Sequence, residues 1–208
     1  MTTVLNPTRP ARPETTPVTE PAPRIAIADP AALGLGAFAL TTFVLSLANS
    51  GLIPTAGAAV IGLAVFYGGI AQFAAGMWEF IKGNTFGATA FTSYGAFWLA
   101  FWWLLTHPET EAAAGAAGIG AFLLAWTLFT VYMTIAAART NVMLLSLFIA
   151  ATLTFLGLTI GAFSGSAAIH QLAGWIGIAT ALIAWYGSAA VAVNSTWKRA
   201  VFPLGPLA

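Results

Sequence analysis

Cysteine is absent from this 208-residue chain and charge is scarce, Lys, Arg, Asp and Glu together making up 6% of it. Without thiols there is no disulfide, no thiolate nucleophile and no cysteine-based metal site. A soluble domain of this size carries about a quarter charged residues, so a separate soluble domain is excluded. The net charge of +1 leaves no basic footprint, and no nucleic-acid partner is expected. Catalytic patterns are missing too: there is no HExxH, no Gly-x-Ser-x-Gly and no carboxylate pair at mid-span. His107 and His170 stand apart, without metal-ligand spacing. No enzyme activity, metal or cofactor is therefore expected.

What remains is apolar. Hydrophobic residues make up 59% of the chain and the mean hydropathy is +0.87, which implies an all-α integral membrane protein. Residues 1–28 differ: Pro7, Pro10, Pro13, Pro17, Pro21 and Pro23 recur among Thr, Glu and Arg. That composition reads as a disordered, partly polyproline-like tail. It has no apolar core of the kind a cleavable signal peptide needs.

A helix needs about 20 apolar residues to cross the hydrocarbon core. Uncharged stretches and their breaks give six spans, at 31–50, 56–81, 86–106, 114–138, 141–163 and 168–195. With six spans both termini share one side. Arg9, Arg12, Arg24, Lys82, Arg139, Lys198 and Arg199 then fall on that side, while His107, Glu109, Glu111 and His170 fall on the other. The positive-inside rule makes the basic side cytoplasmic. The expected organisation is a cytoplasmic tail (1–28), a six-helix transmembrane domain (29–199) and a short cytoplasmic tail (200–208).

Punctuation fits these boundaries. Asp29-Pro30 opens the first helix, Asn84 or Thr85 caps the third, and Thr140-Asn141 opens the fifth. Three helix N-termini then share the cytoplasmic face, where their partial positive charges suit a small anion.

The most polar stretch lies between Phe66 and Gly95, rich in amides, hydroxyls and glycine. At membrane depth such groups must line a cavity or pack inside a bundle. Thr41, Thr42, Asn49, Gln72, Thr89, Thr92, Ser93, Thr152, Thr154 and Thr159 form the polar set of the spans. Each reads as a hydrogen-bond donor to a carboxylate in a path, and each threonine alternatively as bonded to its own helix backbone. Phe38, Tyr94 and Phe155 read as an apolar constriction or as packing. Glu79 and Lys82 share one helix face at i, i+3 and read as an interfacial ion pair at the helix end or as a cytoplasmic gate or ion relay. The Gly157, Gly161, Gly165 face serves either packing within the subunit or subunit association. Tryptophans, Trp98 among them, lie near span ends as interface anchors.

Three segments carry a family resemblance. Asp29-Pro30-Ala31-Ala32-Leu33-Gly34-Leu35 is similar to an Asn-Pro-Ala-Pro-Leu-Gly-Leu signature. Phe66 to Trp98 resembles a long FYGGIAQ…KGNTFGxTAFTSYGxFW block, and Ala173 to Gly177 matches AGWIG. Together they resemble the acetate uptake transporter family, also called the succinate–acetate permease family. The resemblance implies a homohexamer in the plasma membrane with a pore through each protomer. It implies passage of acetate and related monocarboxylates, with succinate in some members, channel-like or proton-linked. The family's constriction Phe corresponds to Phe38 and its Tyr to Tyr94. Its Leu falls at Ala151 by ungapped counting from the last helix, with Leu153 the nearby leucine; Ala151 implies a wider ring. The expected substrate path is Thr41, Thr42, Asn49, Gln72, Asn84, Thr85, Thr89, Thr92, Ser93 and Thr152, with Asp29, Glu79 and Lys82 at the cytoplasmic mouth. A neutral-solute or ammonia channel and a non-transporting scaffold are the alternatives.

Overall fold

The computed structural model describes residues 27–207, and the described chain is helical with no named strand. The tail expected over 1–28 lies outside the described residues but for its last two positions. Six helices follow in series: α1 (Ala31–Asn49), α2 (Ala56–Lys82), α3 (Thr85–Thr106), α4 (Pro108–Ala137), α5 (Val142–Ser164) and α6 (Ala167–Trp197). All but α3 are long and apolar enough to cross a membrane by length and composition. The 22 residues of α3 span about 33 Å at 1.5 Å per residue, which matches the hydrocarbon thickness. Its hydroxyls and glycines lower its hydropathy, and its inner stripe of Ala90, Phe91, Tyr94, Phe97 and Trp98 is buried.

Each expected span coincides with one helix, and the main difference is at α4. There Pro108 occupies the first turn, where its missing N–H costs nothing. Gly115 then takes φ 55, ψ −174 and interrupts the helix. The long apolar run begins only after that break, close to the expected position 114.

The helices close a ring. Each packs on its neighbours in sequence, and α1 packs most extensively on α6, joining first to last. Two helix faces explain close approaches in this ring. Gly157 of α5 faces Ala173 of α6, and Gly161 faces His170. The small-residue stripe therefore packs inside the subunit, which decides between its two readings. Gly165 instead ends α5 in a left-handed cap at φ 66.

A wide π turn at Phe66–Ala71 interrupts α2. Val60, Ala64, Gly68 and Gln72 recur every four residues and are all buried. A straight α-helix drifts about 40° per step of four. The wide turn absorbs most of that drift, so Gln72 keeps the inward face that Val60 and Ala64 start. A Cβ on Gly68 would meet Thr41 Oγ1 at 2.7 Å, so the turn needs glycine there.

The last residues form a strap, not a free tail. The Val142 N–H donates to the Gly205 carbonyl (2.7 Å), the Met143 N–H to Leu204 O (3.2 Å) and the Leu207 N–H to Thr140 O (3.1 Å). Asn194 accepts from the N–H groups of Val201 and Phe202 and donates to Phe202 O. Tyr186 donates its hydroxyl to Pro203 O at 2.7 Å.

Candidate functional site

Two cavities lie inside the ring. The first, about 200 Å³, sits at the end of the bundle where α1 begins and the strap lies; Asp29, Gln72, Glu79, Lys82, Asn84 and Tyr94 are in its wall. The second, about 40 Å³, is lined by Thr42, Ser46, Asn49, Trp98, Thr154 and Thr180 among others. Phe38 and Ala151 line both. The two cavities therefore share a wall at these residues.

The shared wall is aromatic. Phe38 and Tyr94 have ring centroids 5.4 Å apart, and Tyr94 stacks on Phe155 at 6.3 Å and 8°. Phe97 meets Phe155 edge-on at 5.2 Å, and Phe148 lies 6.2 Å from Tyr94. The Tyr94 hydroxyl is turned into the bundle, 2.9 Å from Thr130 Oγ1. Thr130 spends its own proton on Trp126 O at 2.7 Å, so Tyr94 is the donor to Thr130. The ring of Tyr94, not its hydroxyl, faces the junction.

Only one of Ala151 and Leu153 can share this junction. Two residues on a helix are about 200° apart. Ala151 is buried at 3% exposure, whereas Leu153 is 48% exposed. Leu153 is therefore removed from the expected constriction. The small side chain at 151 leaves Phe38, Tyr94 and Phe155 to narrow the junction alone.

The expected path residues divide. Thr42, Asn49, Gln72 and Asn84 line the cavities. Thr41, Thr85, Thr89, Thr92, Ser93 and Thr152 line neither. Thr41 donates to Ala37 O at 2.9 Å and Thr92 to Ala88 O at 2.6 Å, each within its own helix. Thr92 also faces Gly76 of α2, where a Cβ would clash with it. Thr152 pairs with Thr134 at 2.9 Å, and Thr85 is exposed. Thr41, Thr92 and Thr152 thus bond within or between helices, as threonine does when it finds a local acceptor.

At the wide end, Lys82 Nζ lies 2.8 Å from Asp29 Oδ1 and 3.9 Å from Glu79 Oε2. The short ion pair is thus with Asp29, not with the i, i+3 partner. Asn84 donates its side-chain N–H to Glu79 Oε2 at 2.9 Å and accepts from the Gly87 N–H at 3.2 Å. The Glu79 side chain is fully buried although it lies one turn from the end of α2. Nor do the helix starts form an anion site together. The first N–H groups of α5 go to the strap and to the Asn141 side chain, and Asp29 takes the Ala31 N–H at 3.0 Å.

One pattern singles out the two cavities. Among the described residues, the buried side-chain polar atoms without a protein partner are Thr42 Oγ1, both amide atoms of Gln72, Glu79 Oε1 and Trp98 Nε1. All four residues line a cavity. A buried polar group left unpaired costs about 1–3 kcal/mol, and more where lipid replaces water. Such groups persist in a wall that water or a polar solute visits. Among the described residues no three His, Asp or Glu side chains gather as metal ligands.

Sequence reading missed Trp98, Phe97, Phe148, Ser46 and Thr180. Trp98 was expected at a membrane interface but is 2% exposed. The signal was available in the spacing: Tyr94 and Trp98, Thr42 and Ser46, and Phe148, Ala151 and Phe155 repeat at three or four residues, the period of one helix face.

A family model described as the GPR1/FUN34/yaaH family matches residues 12–207. The succinate-acetate/proton symporter SatP of Escherichia coli (strain K12) is 40% identical over 181 residues, covering 86% of this chain and 96% of its own. Ammonia transport outward protein 2 of Saccharomyces cerevisiae is 42% identical over 180 residues, covering 81% of this chain and 62% of its own. A solved structure of the bacterial acetate channel SatP matches with a TM-score of 0.82 at 40% identity, over 86% of this chain and all of that one. These relatives are transporters and a channel, not enzymes.

Proposed function

The chain belongs to the GPR1/FUN34/yaaH family, the acetate uptake transporter family, and from that premise we propose that it passes acetate and related small monocarboxylates, with succinate as a further substrate, through each protomer. The observation that carries this reading is the set of unpartnered polar atoms lining two cavities that share a wall at Phe38 and Ala151. Gln72 offers an amide to a carboxylate in the wide cavity. Thr42, Asn49 and Trp98 offer a hydroxyl, an amide and an indole N–H beyond the junction. A carboxylate moved from water into apolar surroundings without such partners is costly by several kcal/mol.

The protein sits in the plasma membrane with both termini cytoplasmic. Lys82, Arg139, Lys198 and Arg199 cluster at the helix ends that carry the wide cavity and strap, which agrees with the positive-inside rule. The transport unit is 29–199 with the strap attached, and the protomers assemble as hexamers, as the family resemblance implies. Passage is channel-like or proton-linked. The sequence puts no carboxylate at the centre of a span, which favours a channel-like path or protonation of the substrate itself; where the protein carries the proton, the candidate is Glu79, a buried carboxylate one turn from the end of α2 with one oxygen unpaired.

Liposomes carrying the purified protein are expected to take up labelled acetate faster than empty ones. Equal rates refute the reading. The similarity to a protein named for ammonia transport gives a second reading, an ammonia path. Swelling measured side by side in ammonium chloride, glycerol and sodium acetate separates the two.

A further inference from the structure

The wide cavity is a vestibule with two unlike sides. Asp29, Gln72, Glu79, Lys82 and Asn84 form a polar side from the ends of α1, α2 and α3. Met143, Leu144, Leu147 and Val191 of α5 and α6, with Leu204 of the C-terminal strap, form a second side that is apolar but for Asn141 at the start of α5. Met143 and Leu204 also line a separate apolar groove of about 580 Å³, together with Val142, Ile183, Tyr186 and Pro203. The strap is thus a partition with the vestibule on one side and this open groove on the other.

We propose that the strap is a working wall of the path: Leu204 sets how long an alkyl tail the vestibule accepts, and Asn194 is the residue that positions it. This rests on the carboxylate reading above. A small monocarboxylate has a charged head and an apolar tail. The polar side takes the head through the Lys82 ammonium at the mouth or, about 15 Å deeper along α2, through the Gln72 amide. The tail then faces the aliphatic side, where burying each added methylene against side chains is favourable, provided there is room. Leu204 bounds that room.

Its place is fixed from both ends. Its own carbonyl accepts from the Met143 N–H at 3.2 Å, and the next carbonyl, of Gly205, accepts from Val142 at 2.7 Å. Gly205 takes φ +68 to make this turn, a conformation that favours glycine. Upstream, the single Asn194 side chain holds Val201 N–H at 2.7 Å, Phe202 N–H at 3.0 Å and Phe202 O at 2.8 Å. No other described side chain makes as many bonds to the strap. Asn194 is absent from both cavity walls and acts through Leu204. The substrates assigned to this wall are unbranched aliphatic monocarboxylates longer than acetate.

The test is a ratio. Uptake of labelled acetate and of labelled butyrate is measured in the same liposomes for the full chain and four variants. Leu204→Ala is expected to raise the butyrate-to-acetate ratio at least threefold. Leu204→Trp, which fills the space instead, lowers it. Asn194→Ala reproduces Leu204→Ala with the leucine intact. Leu207→Ala, which alters an exposed strap side chain outside both cavities, leaves the ratio where it was. A strap that is merely structural lowers both fluxes together and leaves the ratio constant; that result, with acetate uptake still present in the full chain, overturns this inference alone. An absence of acetate uptake in the full chain removes the carboxylate reading and this inference with it.

Discussion

The two cavities inside the ring handle polarity in opposite ways. The wide one carries full charges, Lys82 paired with Asp29 at 2.8 Å and Glu79 buried beside Asn84. The narrow one carries neutral groups alone, Thr42, Ser46, Asn49, Trp98, Thr154 and Thr180, in about 40 Å³. Between them stands an aromatic junction with no charge. The comparison teaches that charge is handled before the junction and not within it. A carboxylate would exchange water for amide and ammonium in the wide cavity, then pass the rings with Gln72 behind it and neutral donors ahead.

Several substitutions break or sharpen this contrast. Gln72→Leu should have the largest effect, lowering acetate uptake in liposomes at least tenfold. It should leave the stability of the fold within about 1 kcal/mol of the native value, since the Gln72 amide faces cavity water and holds no protein partner, which thermal unfolding in detergent can measure. Loss of both flux and stability would instead make Gln72 a packing residue.

Glu79→Gln keeps the shape of the wide cavity and removes one charge. Acetate uptake driven by an imposed proton gradient should fall several-fold, while exchange without a gradient should stay within twofold. Gradient-driven uptake that survives intact assigns the proton elsewhere. At the junction, Ala151→Leu should reduce butyrate uptake about threefold and acetate uptake less, read by isotope flux. Tyr94→Phe should cost about 1 kcal/mol of stability through the lost bond to Thr130, with flux changed by less than threefold, because the hydroxyl points away from the junction. Leu153→Ala, on the outer face, should change flux least of all.

The same contrast shows what was legible in the sequence. Helix number and boundaries follow from uncharged runs and caps, because hydropathy and capping act locally. Asn84 and Asn141 cap where their positions imply, accepting from Gly87 and Leu144 N–H groups at 3.2 and 2.8 Å. The wide cavity was legible too, since Gln72, Glu79 and Lys82 stand out against an apolar background. The narrow cavity was not. A threonine in a path and a threonine bonded to its own helix are identical in sequence, and only the angular phase of the helix separates Thr42 from Thr41. The π turn at Phe66–Ala71 hides that phase further along α2. Leu204 escaped for another reason: a strap that folds back through backbone hydrogen bonds leaves no periodic signal.

The absence of native cysteine permits the most direct measurement. A single thiol is introduced as Gln72→Cys and its modification by a water-soluble thiosulfonate is timed in membranes, with and without acetate, beside Phe73→Cys, whose parent side chain is 37% exposed on the outside of the ring. A wet path past residue 72 predicts fast modification there, slowed by acetate, and slow modification at 73 that acetate does not change. A thiol at 72 that reacts no faster than the one at 73, and is indifferent to acetate, contradicts it.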